Sequence, residues 1–304
     1  MIELLKNYSE YIHKIIVTIS RLISYMSILL FLFLTNQNTQ AQSFLFQNEI
    51  GSFNSAYAFS INPSGFIYVS DAAENEIIKL DTLGNTLKTF GGYGFDNNSF
   101  DLPIDITATT LNVYVADKFN DRIQIFDKDL NYISSLSANS IENDFYKFRY
   151  PIGTGISSQG DIFLIDSDNS RILKFTSAGK FLAEIGSRES GDFALQNPRA
   201  LAIIDNKILV IDNNFLLIYD LFGNNISKFK FQEQLININS TFSGIILCSQ
   251  KIIYFSLSKN NLQTLEFKNF DPQIEDIITD CLIFNQKLYL LTPKKILIYK
   301  IISE

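Results

Sequence analysis

The sequence has no tryptophan, one histidine, two cysteines, two methionines and six prolines in 304 residues. Each shortage excludes something. The only histidine is His13, so residues 42–304 contain none. Ser-His-Asp triads, Cys-His pairs and histidine-ligated metal sites are therefore ruled out over that span. Cys248 and Cys281 are too few to staple a small disulfide-rich domain. Both fall in β-rich runs and read as buried thiols, although an oxidising compartment would permit one bridge. Positive charge is also in deficit, with a formal net charge of -7. An acidic chain repels phosphate backbones, which argues against nucleic acid as a general partner. The glycine-rich GGYG at 91–94 leads into no helical pattern, so it is not a phosphate loop. The serines of GTGISSQG at 153–160 lack a histidine base and read as strand and hairpin. No catalytic motif and no cofactor-binding motif is found, and the chain reads as a non-enzyme.

The N-terminus differs from the rest. Lys6, Lys14 and Arg21 precede the apolar run 22–34, and polar TNQNTQAQS follows. That order is the pattern of a signal peptide, with Thr39 and Ala41 as the small residues of the cleavage site. The run is short against the ~20 residues that span a bilayer. The rival reading is an uncleaved membrane anchor over 15–34, interrupted by Arg21. No cysteine lies near the cleavage point to carry a lipid. The expectation is residues 1–41 as leader and 42–304 as one exported domain, in the periplasm, the cell envelope or outside the cell. Contact with a membrane would come only through an uncleaved leader.

The remaining sequence repeats itself. GFIYVSDAAENEIIKLDTLGNTLKTFG at 65–91 returns as LNVYVADKFNDRIQIFDKDLNYISSLS at 111–137 and as GDIFLIDSDNSRILKFTSAGKFLAEIG at 160–186. Each copy is a β-run, an Asp, a polar turn, a second β-run, and a turn rich in Gly or Asn. The Asp anchors are Asp71, Asp117, Asp166 and Asp212; Ser256 and Thr292 extend the series with the Asp replaced. A period of ~40–50 residues marks a propeller or solenoid. Six anchors predict an all-β, six-bladed propeller of four-stranded blades. Prolines 103, 151 and 198 open the innermost strands, where a missing N–H costs no ladder bond. The last unit ends after KKILIYKII at 294–302, one strand short, whereas SFLFQNEIG at 43–51 is a strand without a unit. Residues 43–50 should therefore complete the last blade and remove the open edge.

YVADKFNDRIQIFD at 114–127 and FLIDSDNSRILKF at 163–175 resemble the NHL-repeat family of six-bladed propellers. Asp117, Asn120, Arg122 and Ile123 match its pattern, as do Asp166, Asn169, Arg171 and Ile172. Glu76 and Leu217 replace the Arg in the first and fourth copies. The Asp and Arg residues (Asp71, Asp117, Arg122, Asp166, Arg171 and Asp212) read as scaffold, capping turns and pairing across a blade. The resemblance implies several uses. Many such propellers present a rim to a protein or polymer. Some similar families are Ca²⁺-dependent lactonases or esterases, one secreted group is a zinc lyase, and some animal relatives bind RNA. The zinc lyase needs histidines that residues 42–304 lack. The RNA binders need a basic face.

For a Ca²⁺ hydrolase, oxygen ligands would have to face the channel. Counting two residues past each strand-opening position gives Tyr57, Asp105, Gly153, Ala200, Gly244 and Asp280. Asp105 and Asp280 are thus the metal candidates, with Arg199 beside them as an ion-pair partner. The loops NNSF (97–100) and ENDFYKF (142–148) read as an aromatic contact rim. The best-supported expectation is an exported, monomeric, cofactor-free binding or scaffold propeller with a protein or glycan partner. The alternatives are the Ca²⁺-dependent hydrolase and a membrane-tethered sensor.

Overall fold

The computed structural model describes residues 42–240, 244–256, 262 and 265–303, together with Ile19. The expected leader, residues 1–41, otherwise lies outside the described residues. The body at 44–301 is one compact unit.

It contains six four-stranded antiparallel sheets. Blade 1 has strands Ala56–Ile61, Ile67–Asp71, Glu76–Leu80 and Thr86–Gly91, from inside outwards. Blade 2 has Pro103–Ala108, Asn112–Asp117, Arg122–Asp127 and Tyr132–Ser137. Blade 3 has Pro151–Ile156, Ile162–Asp166, Arg171–Phe175 and Phe181–Ile185. Blade 4 has Pro198–Ile204, Lys207–Asp212, Phe215–Asp220 and Asn225–Lys230. Blade 5 is shorter, with Asn237–Ser240, Ile245–Cys248, Ile253–Ser256 and Lys268–Phe270. Blade 6 has Asp280–Phe284, Lys287–Leu291 and Ile296–Ser303, and its outermost strand is the N-terminal Gln42–Ile50. The ring closes as the unmatched end strands require.

Alternation along each second strand explains why the blades stack. In blade 2, Val113 and Val115 pack towards blade 1, and Tyr114 and Ala116 towards blade 3. A period-2 strand buried on both faces is apolar through its middle, as these strands are except at Ser70, whose hydroxyl bonds to the Ala58 backbone. One apolar core lies in each seam, including the seam between blades 6 and 1, where Ile50, Phe53 and Ala56 meet Leu282, Tyr289 and Leu291. Backbone bonds from Phe53 N to Lys294 O and from Ala56 N to Pro293 O, both 2.9 Å, reinforce that last seam.

Near the axis the innermost strands approach so closely that side chains must be small. A Cβ on Gly155 would lie 2.4 Å from Leu201 Cδ1. At the outer hairpins Gly84 and Gly223 adopt φ of 91° and 89°, as their turns require. Leu130 occupies the same kind of turn at φ 61° because its side chain is buried in the blade 1–2 core.

Blade 5 corrects one expectation. Ser256 ends the third strand, not the second. The second strand is Ile245–Cys248, which puts Ser249 in the anchor position. IILC and IYFS are β-runs of equal quality separated by a tight turn, and with the Asp gone spacing alone chose the wrong one.

Candidate functional site

Innermost strands all begin on one face of the ring, termed here the top. The four Asp anchors lie there, at the ends of the second strands, and all are buried. Asp71 accepts from the backbone N–H groups of Asn54 (2.6 Å) and Ser55 (2.8 Å). Asp212 accepts from those of Gln196 (3.1 Å) and Asn197 (2.6 Å). Asp117 and Asp166 accept from Asp101 N (2.7 Å) and Arg149 N (3.1 Å). Each anchor thus ties the second strand of its blade to the segment that leads into the innermost strand. Burial pushes the Asp117 carboxyl up, against the pull of its N–H, amide and guanidinium donors.

The Arg of the repeat reaches further. Arg122 donates through Nε to Asp117 (2.7 Å), and its other nitrogens donate to the carbonyls of Phe95 (2.8 Å), Asp96 (3.0 Å) and Ser99 (2.9 Å). Gln124 donates to Ser99 O (2.7 Å) and Asn120 to Gly94 O (2.9 Å). The loop between blades 1 and 2 is held along its backbone. Arg171 repeats the arrangement, donating to Asp166 (2.9 Å), Glu184 (2.7 Å) and Lys147 O (3.0 Å).

These fixed loops display aromatic rings. Tyr93 and Phe95 are each 69% exposed and meet edge-on at 6.3 Å; Phe145 is 81% exposed. Phe119 is exposed too, and lies edge-on to Tyr150 at 5.8 Å. Lys118 and Arg149 stand over the Phe119 and Tyr150 rings. The two expected rim loops are only partly as read. Phe100 and Phe148 are fully buried, whereas Tyr93, Phe95 and Phe119 lie outside the two segments singled out by sequence. On the opposite face the large exposed apolar side chains Leu83, Leu111 and Phe222 sit singly on separate hairpins.

Strand register shows which residues share one level of the channel. Ala58, Asp105, Ala200, Asn237 and Asp280 each pair with the residue before an anchor, and Gly153 lies in the corresponding bulge of blade 3. Tyr57 and Gly244 therefore give way to Ala58 and Asn237. Blade 1 has no opening proline to count from, and the blade 5 anchor had been misplaced. Tyr57 is the bulged residue and is exposed at the top.

Asp105 and Asp280 both line a cavity of about 620 Å³ that opens past Pro63, Thr109 and Asn285 on the bottom face. Their carboxylates act as straps between blades. Asp105 accepts from Thr154 N (2.7 Å) and Thr154 Oγ1 (2.8 Å) in blade 3. Asp280 accepts from Phe59 N (3.0 Å) in blade 1, Asn239 Nδ2 (2.9 Å) in blade 5 and its neighbour Cys281 N (2.7 Å). Burial raises the Asp105 carboxyl to about 6. Burial raises Asp280 well above the usual range, and the Asp105 charge adds to the shift. A Ca²⁺ ion needs about 6–8 oxygens. Two carboxylates already engaged by protein donors do not fit it, and the described residues hold no group of three His, Cys, Asp or Glu suited to a metal.

Arg199 does not pair with either acid. It occupies the bulge at the start of the blade 4 innermost strand, and its Nε is buried without an acceptor. Bulges re-aim side chains, and a buried donor without a partner calls for an explanation.

Residues 148–175 match the NHL repeat family. That stretch contains Asp166 and Arg171, which strap blade 3, and Asn169, which donates to Asp166 (2.9 Å). The chain is a six-bladed propeller with an NHL-repeat match in its third blade. Solved structures with a similar fold include virginiamycin B lyase from Staphylococcus aureus, at 13% identity and a TM-score of 0.61, covering 86% of this chain and 100% of the lyase. The PQQ-bound aldose sugar dehydrogenase from Streptomyces coelicolor matches at 12% identity and 0.60, covering 86% and 99%. U3-55K matches at 8% and 0.56, covering 86% and 98%. At such identities the likeness is one of fold. Within this propeller, Arg122 and Arg171 of the repeat bond to the backbone of loops that carry exposed aromatic rings.

Proposed function

We propose that this protein is an exported, non-catalytic binding propeller whose top face engages a protein or glycan partner. The observation that carries the reading is the set of exposed rings on loops held by Arg122, Gln124 and Arg171. Binding to a fixed loop avoids the cost of ordering it, and aromatic side chains supply most of the energy at many interfaces. The basic and apolar order of the N-terminal residues supports export. A lyase activity finds no support. A virginiamycin B lyase of this fold is catalytically inactive once a histidine is replaced by alanine, and residues 42–304 here have no histidine.

The test uses protein beginning at Gln42 as bait in an envelope extract, beside the triple variant Tyr93→Ser, Phe95→Ser, Phe145→Ser. All three side chains are exposed, so the variant should melt with the wild type. A stoichiometric partner, purified and bound at least about tenfold more weakly by the variant, supports the proposal. Equal binding by the variant, or no partner at all, refutes it.

A further inference from the structure

Blades 5 and 6 have lost the anchor that ties the others. Ser249 and Thr292 stand in its place and accept from N–H groups of their own turns, while Ser249 alone still reaches the entry segment of its blade by donating to Glu233. Something else sits in the seam between these two blades. Cys248 ends the second strand of blade 5, and Cys281 lies in the innermost strand of blade 6. Both belong to the same apolar core and neither has any exposed surface. Both are free thiols, and each lies near enough to shift the other's proton affinity. The backbone around Cys281 is fixed as well. Asn239 donates to its carbonyl (3.0 Å), and its N–H donates to Asp280 (2.7 Å). The two cysteines therefore share one buried core across the seam, and polar bonds fix the backbone at Cys281.

We infer that Cys248 and Cys281 are a disulfide-forming site that stitches blade 5 to blade 6 when the chain folds in the presence of a disulfide oxidant. The oxidant is a small-molecule or protein disulfide. One cysteine thiolate attacks it, forming a mixed disulfide and expelling one thiolate. The second cysteine attacks the mixed disulfide, closes the Cys248–Cys281 bond and expels the other thiolate, which takes up the remaining proton. Two protein thiols are oxidised and one disulfide is reduced to two thiols. Full burial sets the timing. Burial raises both thiols and keeps them protonated once the seam has closed. Oxidation thus belongs to folding, before closure, and the finished bond is shielded from reductants. A link between two blades limits the unfolded chain and holds the part of the ring with the shortest strands.

The site does not depend on the proposed partner or on export, because it is tested with pure protein. The protein is refolded from denaturant either in a mixture of reduced and oxidised glutathione or in excess dithiothreitol. Each sample is then denatured, alkylated with iodoacetamide and weighed intact. The expected result is no alkylation after oxidative refolding, two alkyl groups after reductive refolding, and a melting temperature roughly 5–10 °C higher for the oxidised form. C281A should melt at the same temperature in both mixtures. Two alkylated cysteines after oxidative refolding, a chain carrying only glutathione adducts, or an oxidised form that melts no higher would overturn the inference.

Discussion

Arg122→Ala is the substitution whose cost the structure defines best. Arg122 is nearly buried and Asp117 wholly so, with Nε and Oδ2 2.7 Å apart. Removing one partner of a buried ion pair costs about 3–5 kcal/mol, chiefly because the other charge is left behind. Asp117 keeps donors from Asp101 N, Asn120 and Gln124, which places the expected loss near the lower end, about 3 kcal/mol. In a domain of this size that is a fall of roughly 6–10 °C in melting temperature. The stranded Asp117 carboxyl, already raised by burial, rises further without the guanidinium. Its proton then removes the uncompensated charge, so the gap between wild type and variant is full at neutral pH and narrows as the pH falls. Three carbonyls of the loop at 93–100 lose their guanidinium donor in the same step, and the loop's amides should exchange faster. Urea unfolding at several pH values, with hydrogen exchange of that loop, provides the assay. A loss below about 1 kcal/mol, or a gap that does not change with pH, would refute the view that Arg122 holds both the anchor and the loop.

Three further outcomes are expected. Asp105 has a folded-state value of about 6 against an ordinary 3.8, so its contribution is fully present below pH 3.8 and is lost as pH rises towards about 6, by about 3 kcal/mol in all. Asp105→Asn should remove that loss of stability between acid and neutral pH, as read by chemical denaturation. Gly155→Ala should destabilise by about 1–3 kcal/mol, because the new Cβ meets Leu201 and Ile203 where the innermost strands converge; thermal melting checks it. Deletion of residues 1–50 removes Phe44 from its contacts with Phe255 and Phe270 and leaves the strand Ile296–Ser303 as an open edge, so size-exclusion chromatography should show association instead of a stable monomer.

Much of this architecture was legible because the repeat carries its own punctuation. Four Asp anchors, three opening prolines and the glycine turns locate blades 1–4, and an unmatched strand at each end locates the closure. Reading failed where the punctuation lapsed. Blade 5 lost its Asp, so spacing favoured Ser256 over Ser249. Blade 1 has Ala56 where blades 2–4 have proline, so the channel position slipped from Ala58 to Tyr57. Asp105 and Asp280 were placed in the channel correctly, but their role as straps depends on Thr154, Phe59 and Asn239, donors on other blades that no local pattern announces. The reach of Arg122 into the loop at 93–100 is hidden for the same reason. It joins a regular strand to an irregular loop more than twenty residues away. Among the aromatics, sequence could not separate Phe100 and Phe148, which turn inwards, from Tyr93 and Phe95, which do not.

The measurement that tests the central claim most directly is hydrogen exchange of the propeller with and without its captured partner. The account predicts protection concentrated in 91–102, 118–121 and 138–150, the loops that carry Tyr93, Phe95, Phe119 and Phe145. Protection confined to the bottom of the channel, at 60–63, 105–109 and 280–285, with those loops unchanged, would contradict it and make the channel cavity the working site.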